Sequence, residues 1–184
     1  VTGLEFQVFR KELSLYKRQI LAKQLSVKKK MTNLPGQCGS HNEKKRIIVS
    51  LGGSDQRRLL KRIIDSLLSF VDDAVEIEVF GASSGLDVEA TNLTLNSGFK
   101  PDFIERACQS SIVICGAGQT LLEMNYLQQS CIGLVIAENQ IKCGRVMKTQ
   151  GVPIIDQVNN IEGQLVGMIQ QCEPKLLKAE VETE

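Results

Sequence analysis

Residues 111–123 read SIVICGAGQTLLE. Ile112 to Cys115 run without a polar residue, the pattern of a strand buried on both faces in a parallel sheet. The run stops at Gly116-Ala117-Gly118, small residues that let a backbone turn tightly and come close to a ligand. Gly118 to Leu127 then reads as a helix. A buried strand that turns through glycine straight into a helix is the repeating unit of α/β folds.

The same rhythm extends in both directions. Arg46 to Leu51 (RIIVSL) reads as a strand, and Asp55 to Phe70 as a helix whose Leu59, Leu60, Ile63, Ile64, Leu67 and Leu68 form one apolar face. Strands are expected at Glu76 to Phe80, Leu93 to Leu95, Ser111 to Cys115, Cys131 to Ala137 and Pro153 to Ile155, and helices after Pro101, over Gln140 to Gln150 and over Ile161 to Cys172. Alternating strands and helices predict an α/β, Rossmann-like parallel sheet flanked by helices.

Composition sets the limits of the reading. The 184 residues hold 42% hydrophobic and 23% charged residues at net charge +1, values of an ordinary globular protein, without the acidity of a disordered chain or the uniform basicity of a nucleic-acid binder. Residues 1–46 carry eleven Lys and Arg against three acids. Phe9, Leu13, Tyr16, Ile20 and Leu21 recur there at helical spacing among basic residues, and Lys28 to Glu43, with Pro35, Gly36 and Gly39, reads as a linker. The expected organisation is a basic helix and interdomain linker over 1–45, a ligand-binding domain over 46–173 and a charged, frayed tail over 174–184. No apolar run is long enough to span a bilayer and no secretion signal is visible, so the expectation is a cytoplasmic protein that contacts neither membrane nor nucleic acid. The chain opens at Val1 into an apolar-periodic stretch, which reads as a fragment lacking an amino-terminal domain. Its six cysteines form no C-x-x-C pair and are expected to be reduced, with no metal or other cofactor.

In a parallel sheet, ligands bind beyond the carboxyl ends of the strands. Three turns there are unusual. Gly52-Gly53-Ser54-Asp55 combines two glycines with a helix-capping residue, and its amides can hold a phosphate, although any tight strand-to-helix turn favours the same residues. Gly116-Ala117-Gly118-Gln119-Thr120 offers unpaired amides, a helix N-terminus and the Thr120 hydroxyl to a diphosphate. Glu123 either closes a capping box with Thr120 or accepts hydrogen bonds from the vicinal hydroxyls of a ribose. Ala137-Glu138-Asn139-Gln140 turns abruptly polar after CIGLVI; Asn139 either caps the next helix or faces a ligand. His41, the only histidine, falls in the linker and reads as solvated.

Together VSLGGSD, ICGAGQTLLE and LVIAENQ resemble the carboxyl-terminal half of the UDP-sugar hydrolases of pseudaminic acid biosynthesis, relatives of spore-coat polysaccharide proteins, over roughly residues 46–155. Val1 to Leu13 resembles that family's interdomain segment. More remotely the motifs resemble the peptidoglycan N-acetylglucosaminyltransferase and other two-domain (GT-B) glycosyltransferases. The resemblance implies the carboxyl-terminal half of a GT-B fold, with Gly52, Gly53 and Ser54 on one side of a diphosphate and Gly116, Ala117, Gly118, Gln119 and Thr120 on the other. It implies that Glu123 holds the ribose, that Phe99, in Ser97-Gly98-Phe99-Lys100, contacts uracil, and that Asn139, beside Gln140, lies near the sugar and the anomeric carbon as a catalytic residue. The implied reaction is metal-free hydrolysis of a UDP-linked diacetamido deoxy-sugar in nonulosonic acid biosynthesis, with the base on the absent amino-terminal domain. A glycosyltransferase domain and a non-catalytic nucleotide-sugar-binding module are the alternatives. The sequence departs from the family at Gln119, Leu121, Leu122 and Ile132-Gly133.

Overall fold

A computed structural model describes residues 13–18, 45–52, 57–81, 86–98 and 100–178. The chain forms two compact units, Val1–Glu43 and Lys44–Glu184. Within the first, residues 13–18 are helical. The second unit carries the sheet.

Six parallel strands, β1 (Arg46–Ser50), β2 (Glu76–Phe80), β3 (Leu93–Asn96), β4 (Ile112–Gly116), β5 (Cys131–Leu134) and β6 (Ile154–Ile155), lie in the order β3-β2-β1-β4-β5-β6. The helices are α1 (Arg57–Phe70), α2 (Phe103–Cys108), α3 (Gln119–Leu127), α4 (Ile141–Thr149) and α5 (Ile161–Cys172). This order is that of the doubly wound α/β folds, and its direction reverses between β1 and β4, the position at which open parallel sheets in general bind their ligands. The expected Rossmann-like parallel sheet is present, and the strand and helix positions agree with it to within one or two residues except at β5, which ends at Leu134 rather than Ala137.

Register divides the apolar residues between two faces. Ile47 pairs with Ile77 and Ile112, and Val49 with Val79 and Ile114. These side chains join Ile132 and Leu134 in one cluster with Leu60, Ile63, Ile64 and Leu67 of α1 and Ile161, Leu165 and Ile169 of α5. On the opposite face Ile48 pairs with Glu78 and Val113. Phe103 of this second layer meets Phe80 edge-on, with ring centroids 5.0 Å apart. Burial on both faces explains why β4 is apolar throughout.

Residues 174–178 depart from the expected frayed tail. Pro174–Leu176 forms a 3-10 turn, Leu176 is buried, and Leu177 bridges to Val71. Asp72 N–H donates to Leu176 O and Lys178 N–H to Phe70 O. The leucines seat this stretch on the end of α1; counting its charges in sequence conceals that contact.

Candidate functional site

Three strand ends converge at the switch point. β1 runs into Leu51 and Gly52, and Gly52 has φ +89°, a left-handed conformation that favours glycine. β4 ends at Gly116, and a Cβ placed there would lie 3.2 Å from the Leu51 carbonyl oxygen and 3.2 Å from Gln140 Nε2. Gln140 follows β5 through a 3-10 turn, Glu138–Gln140. Its Oε1 accepts from Ile136 N–H at 3.0 Å, while Nε2 lies 3.7 Å from where a Gly118 Cβ would be. The Gln140 carboxamide therefore spans the turns after β4 and β5, and Gly116 leaves the room it occupies.

The donors after β4 differ from the sequence expectation. Ala117 N–H completes the ladder to Leu134 O at 2.7 Å, and Gly118 N–H turns back to Gly116 O at 2.7 Å. Both amides are spent because β4 continues through Gly116 beside β5. Thr120 and Leu121, in the first turn of α3, donate to no backbone carbonyl among the described residues, as is usual for a helix start. The positive end of α3 thus begins directly after Gly118, with the Thr120 and Leu121 amides in place of those of Ala117 and Gly118.

Capping, the simpler explanation of two motif residues, is not what the structure contains. The N-cap of α3 is Gly118 and makes no side-chain cap bond, so Thr120 and Glu123 form no capping box. The N-cap of α4 is Gln140, again without a side-chain cap bond, and Asn139 sits exposed in the preceding 3-10 turn. Glu123 lies on the buried face of α3 with 0% exposure, and Gln119 Nε2 approaches its Oε1 at 3.4 Å. Gln119 itself is exposed. Burial pushes the Cys115 thiol well above its ordinary value, with Cys131, Cys143 and Glu123 adding to the effect. A thiol so placed is no nucleophile at neutral pH.

The structure brings Gly52, Gly116, Ala117, Gly118, Gln119, Thr120, Glu123, Asn139 and Gln140 to the carboxyl ends of β1, β4 and β5. Gly53, Ser54 and Phe99 lie outside the described residues. The neighbours of Phe99, Ser97, Gly98 and Lys100, follow β3, on the far side of β2 from β1. The motif reading passed over two arginines: Arg57 and Arg58 open α1 with no acid in its first turn. Positive side chains oppose the helix dipole there and are favoured when an anion is bound. The signal was visible as Arg-Arg after Gly-Gly-Ser-Asp.

A solved glycosyltransferase shares this fold. The crystal structure of the glycotransferase of kitacinnamycin aligns with 78% of this chain and 40% of its own, at TM-score 0.58 and 14% identity. The chain thus spans about two-fifths of that protein's length, and what the two share is a Rossmann-like parallel sheet flanked by helices. A weaker likeness, to spinosyn forosaminyltransferase, has TM-score 0.48 and 15% identity over 72% of this chain and 36% of the other. No family model and no curated protein matches the sequence. Among the described residues, no helix is long and apolar enough to cross a membrane.

Proposed function

We propose that the chain binds the nucleoside-diphosphate end of a UDP-sugar at the β1/β4 switch point, as the nucleotide-binding half of an enzyme that cleaves the bond between the anomeric carbon and UDP. The observation that carries this reading is the approach of the Leu51 carbonyl and the Gln140 carboxamide to Gly116, beside the start of α3. That arrangement offers amide donors and helix N-termini to a diphosphate, with Arg57 and Arg58 supplying positive charge. Glu123 accepts from the ribose, the loop after β3 reads the base, and Asn139 and Gln140 face the sugar. Stabilising negative charge on departing UDP is the main catalytic task such a half can perform.

Water is the acceptor in the reading that the three motifs support, which makes the parent protein a hydrolase acting on a diacetamido deoxy-sugar. The fold shared with a glycosyltransferase supports a sugar-accepting molecule in place of water. In either reading the general base comes from another domain. Calorimetry with UDP, ADP and UMP tests the binding role, with UDP expected to bind most tightly. Equal affinity for ADP removes the uracil assignment, and equal affinity for UMP removes the diphosphate role of the Gly52 and Gly116 turns. Release of UDP by the parent protein in water alone then separates hydrolysis from transfer.

A further inference from the structure

Glu78 is buried at 4% exposure in the middle of β2, on the sheet face away from the large apolar cluster. Its Oε1 accepts hydrogen bonds from Arg106 Nη1 at 2.6 Å and from Asn96 Nδ2 at 3.0 Å. Its Oε2 accepts none among the described residues and lies 3.9 Å from Arg46 Nε. Desolvating a carboxylate is costly, and an apolar side chain of similar size serves a fold as well or better. Its cross-strand partners on this face, Ile48 of β1 and Thr94 of β3, are both uncharged. Packing by itself therefore gives no reason for a carboxylate here.

What the carboxylate joins is specific. Asn96 is the last residue of β3. Arg106 lies in α2 and also donates from Nε to Asp102 Oδ2 at 2.7 Å, holding the Asp102 carboxyl below its ordinary value. Asn96 and Asp102 are the two ends of the connection from β3 to α2. One oxygen of Glu78 thus fastens the near end directly and the far end through Arg106. Between them Gly98 takes φ +70° and Lys100 O accepts from Phe103 N–H at 3.2 Å.

We propose that Glu78 is a positioning residue that clamps both ends of the β3–α2 loop and thereby sets the preference of the site for a uracil base. The inference rests on the UDP reading above, and its mechanical part can be read without any ligand. Hydrogen exchange and calorimetry on the full 184-residue chain, compared with Glu78→Met and Asn96→Ala, test it. Freed of the clamp, the Phe103 and Arg106 amides, which donate to Lys100 O and Asp102 O, should exchange about tenfold faster or more while those of α1 keep their rates. A loop no longer held in its binding shape should lower UDP affinity about tenfold and ADP affinity less than about twofold. Unchanged exchange at Phe103 and Arg106 overturns the clamp, and faster exchange with an unchanged UDP-to-ADP ratio overturns its role in selectivity. Should Glu78→Met fail to fold, Asn96→Ala decides alone, since it removes one arm at the end of an edge strand. A wild-type chain with no preference for UDP over ADP sinks the UDP reading and this proposal together, a result visible before any variant is made.

Discussion

Glu123 and Cys131 carry the sharpest consequences of single side chains. Glu123 is a carboxylate with no exposed surface beside Gln119, and the UDP reading assigns it to the ribose. Glu123→Gln keeps the shape and should weaken UDP binding by about 1 to 3 kcal/mol, because a charged acceptor shared by two hydroxyls is worth more than an amide. Calorimetry and thermal melting on the same samples check this; a lowered Tm with unchanged UDP affinity would return Glu123 to a structural role. Cys131 sits in β5, where burial pushes its thiol from 9.0 up to about 12, with Cys172 contributing. The protonated thiol is neutral, so the unfolded chain ionises first. Its contribution to stability is therefore complete below about pH 9 and is lost as pH rises toward about 12, at about 1.4 kcal/mol per pH unit. Cys131→Ala should flatten that alkaline loss relative to wild type, measured by denaturant melts between neutral and alkaline pH. Asn139 illustrates the limit of motif reading. Its exposed place in a 3-10 turn shows that it does not cap α4, and its role toward a sugar is a proposal.

At the scale of elements, close approach decides more than propensity does. Gly144 lies inside α4, where almost any other residue is a better helix former. A side chain there would place its Cβ 2.6 Å from Val135 Cγ2, a branched and stiff neighbour beside β5. Gly144→Val should therefore lower stability by about 1 to 3 kcal/mol, against the few tenths gained in helix propensity, and urea melts would register it. A neutral or stabilising result would mean that α4 can move off the sheet at low cost. Gly133 in β5 is similarly constrained: a Cβ would meet Ile154 Cδ1 at 2.6 Å and Leu121 Cδ2 at 2.7 Å. Gly133 thus leaves the room that the Leu121 side chain fills. These elements were legible because buried parallel strands and amphipathic helices leave strong periodic marks. The short α2 and the two-residue β6 were expected with less definition, since so few residues carry little pattern.

Considered whole, the proposed nucleotide site has neither a histidine nor an ionisable thiol among the described residues. The chain's one histidine, His41, falls within 1–45, and the buried thiols are held protonated. The chain alone should bind UDP yet release it from UDP-sugars at a background rate, since general-base help is worth about 10²- to 10⁴-fold. A coupled assay for UDP checks this, and robust turnover by the chain as it stands would overturn the two-domain reading. In a longer parent protein, Asn139→Ala should lower turnover more than UDP affinity. The sequence by itself determined the α/β class, nearly every strand and helix, and the three turns that meet at the sheet edge, because burial periodicity and glycine placement are local properties. Only the tertiary structure decided the strand order that puts the reversal between β1 and β4, the consumption of the Ala117 and Gly118 amides, the Gln140 bridge across Gly116, the anchoring of 174–178 and the Glu78 clamp. Each of these depends on which distant segments become neighbours: β5 supplies the carbonyl that takes the Ala117 amide, and β3 with α2 supplies the partners of Glu78. Pairing between residues far apart in the chain leaves no periodic mark in either segment, so it enters only when the sheet closes.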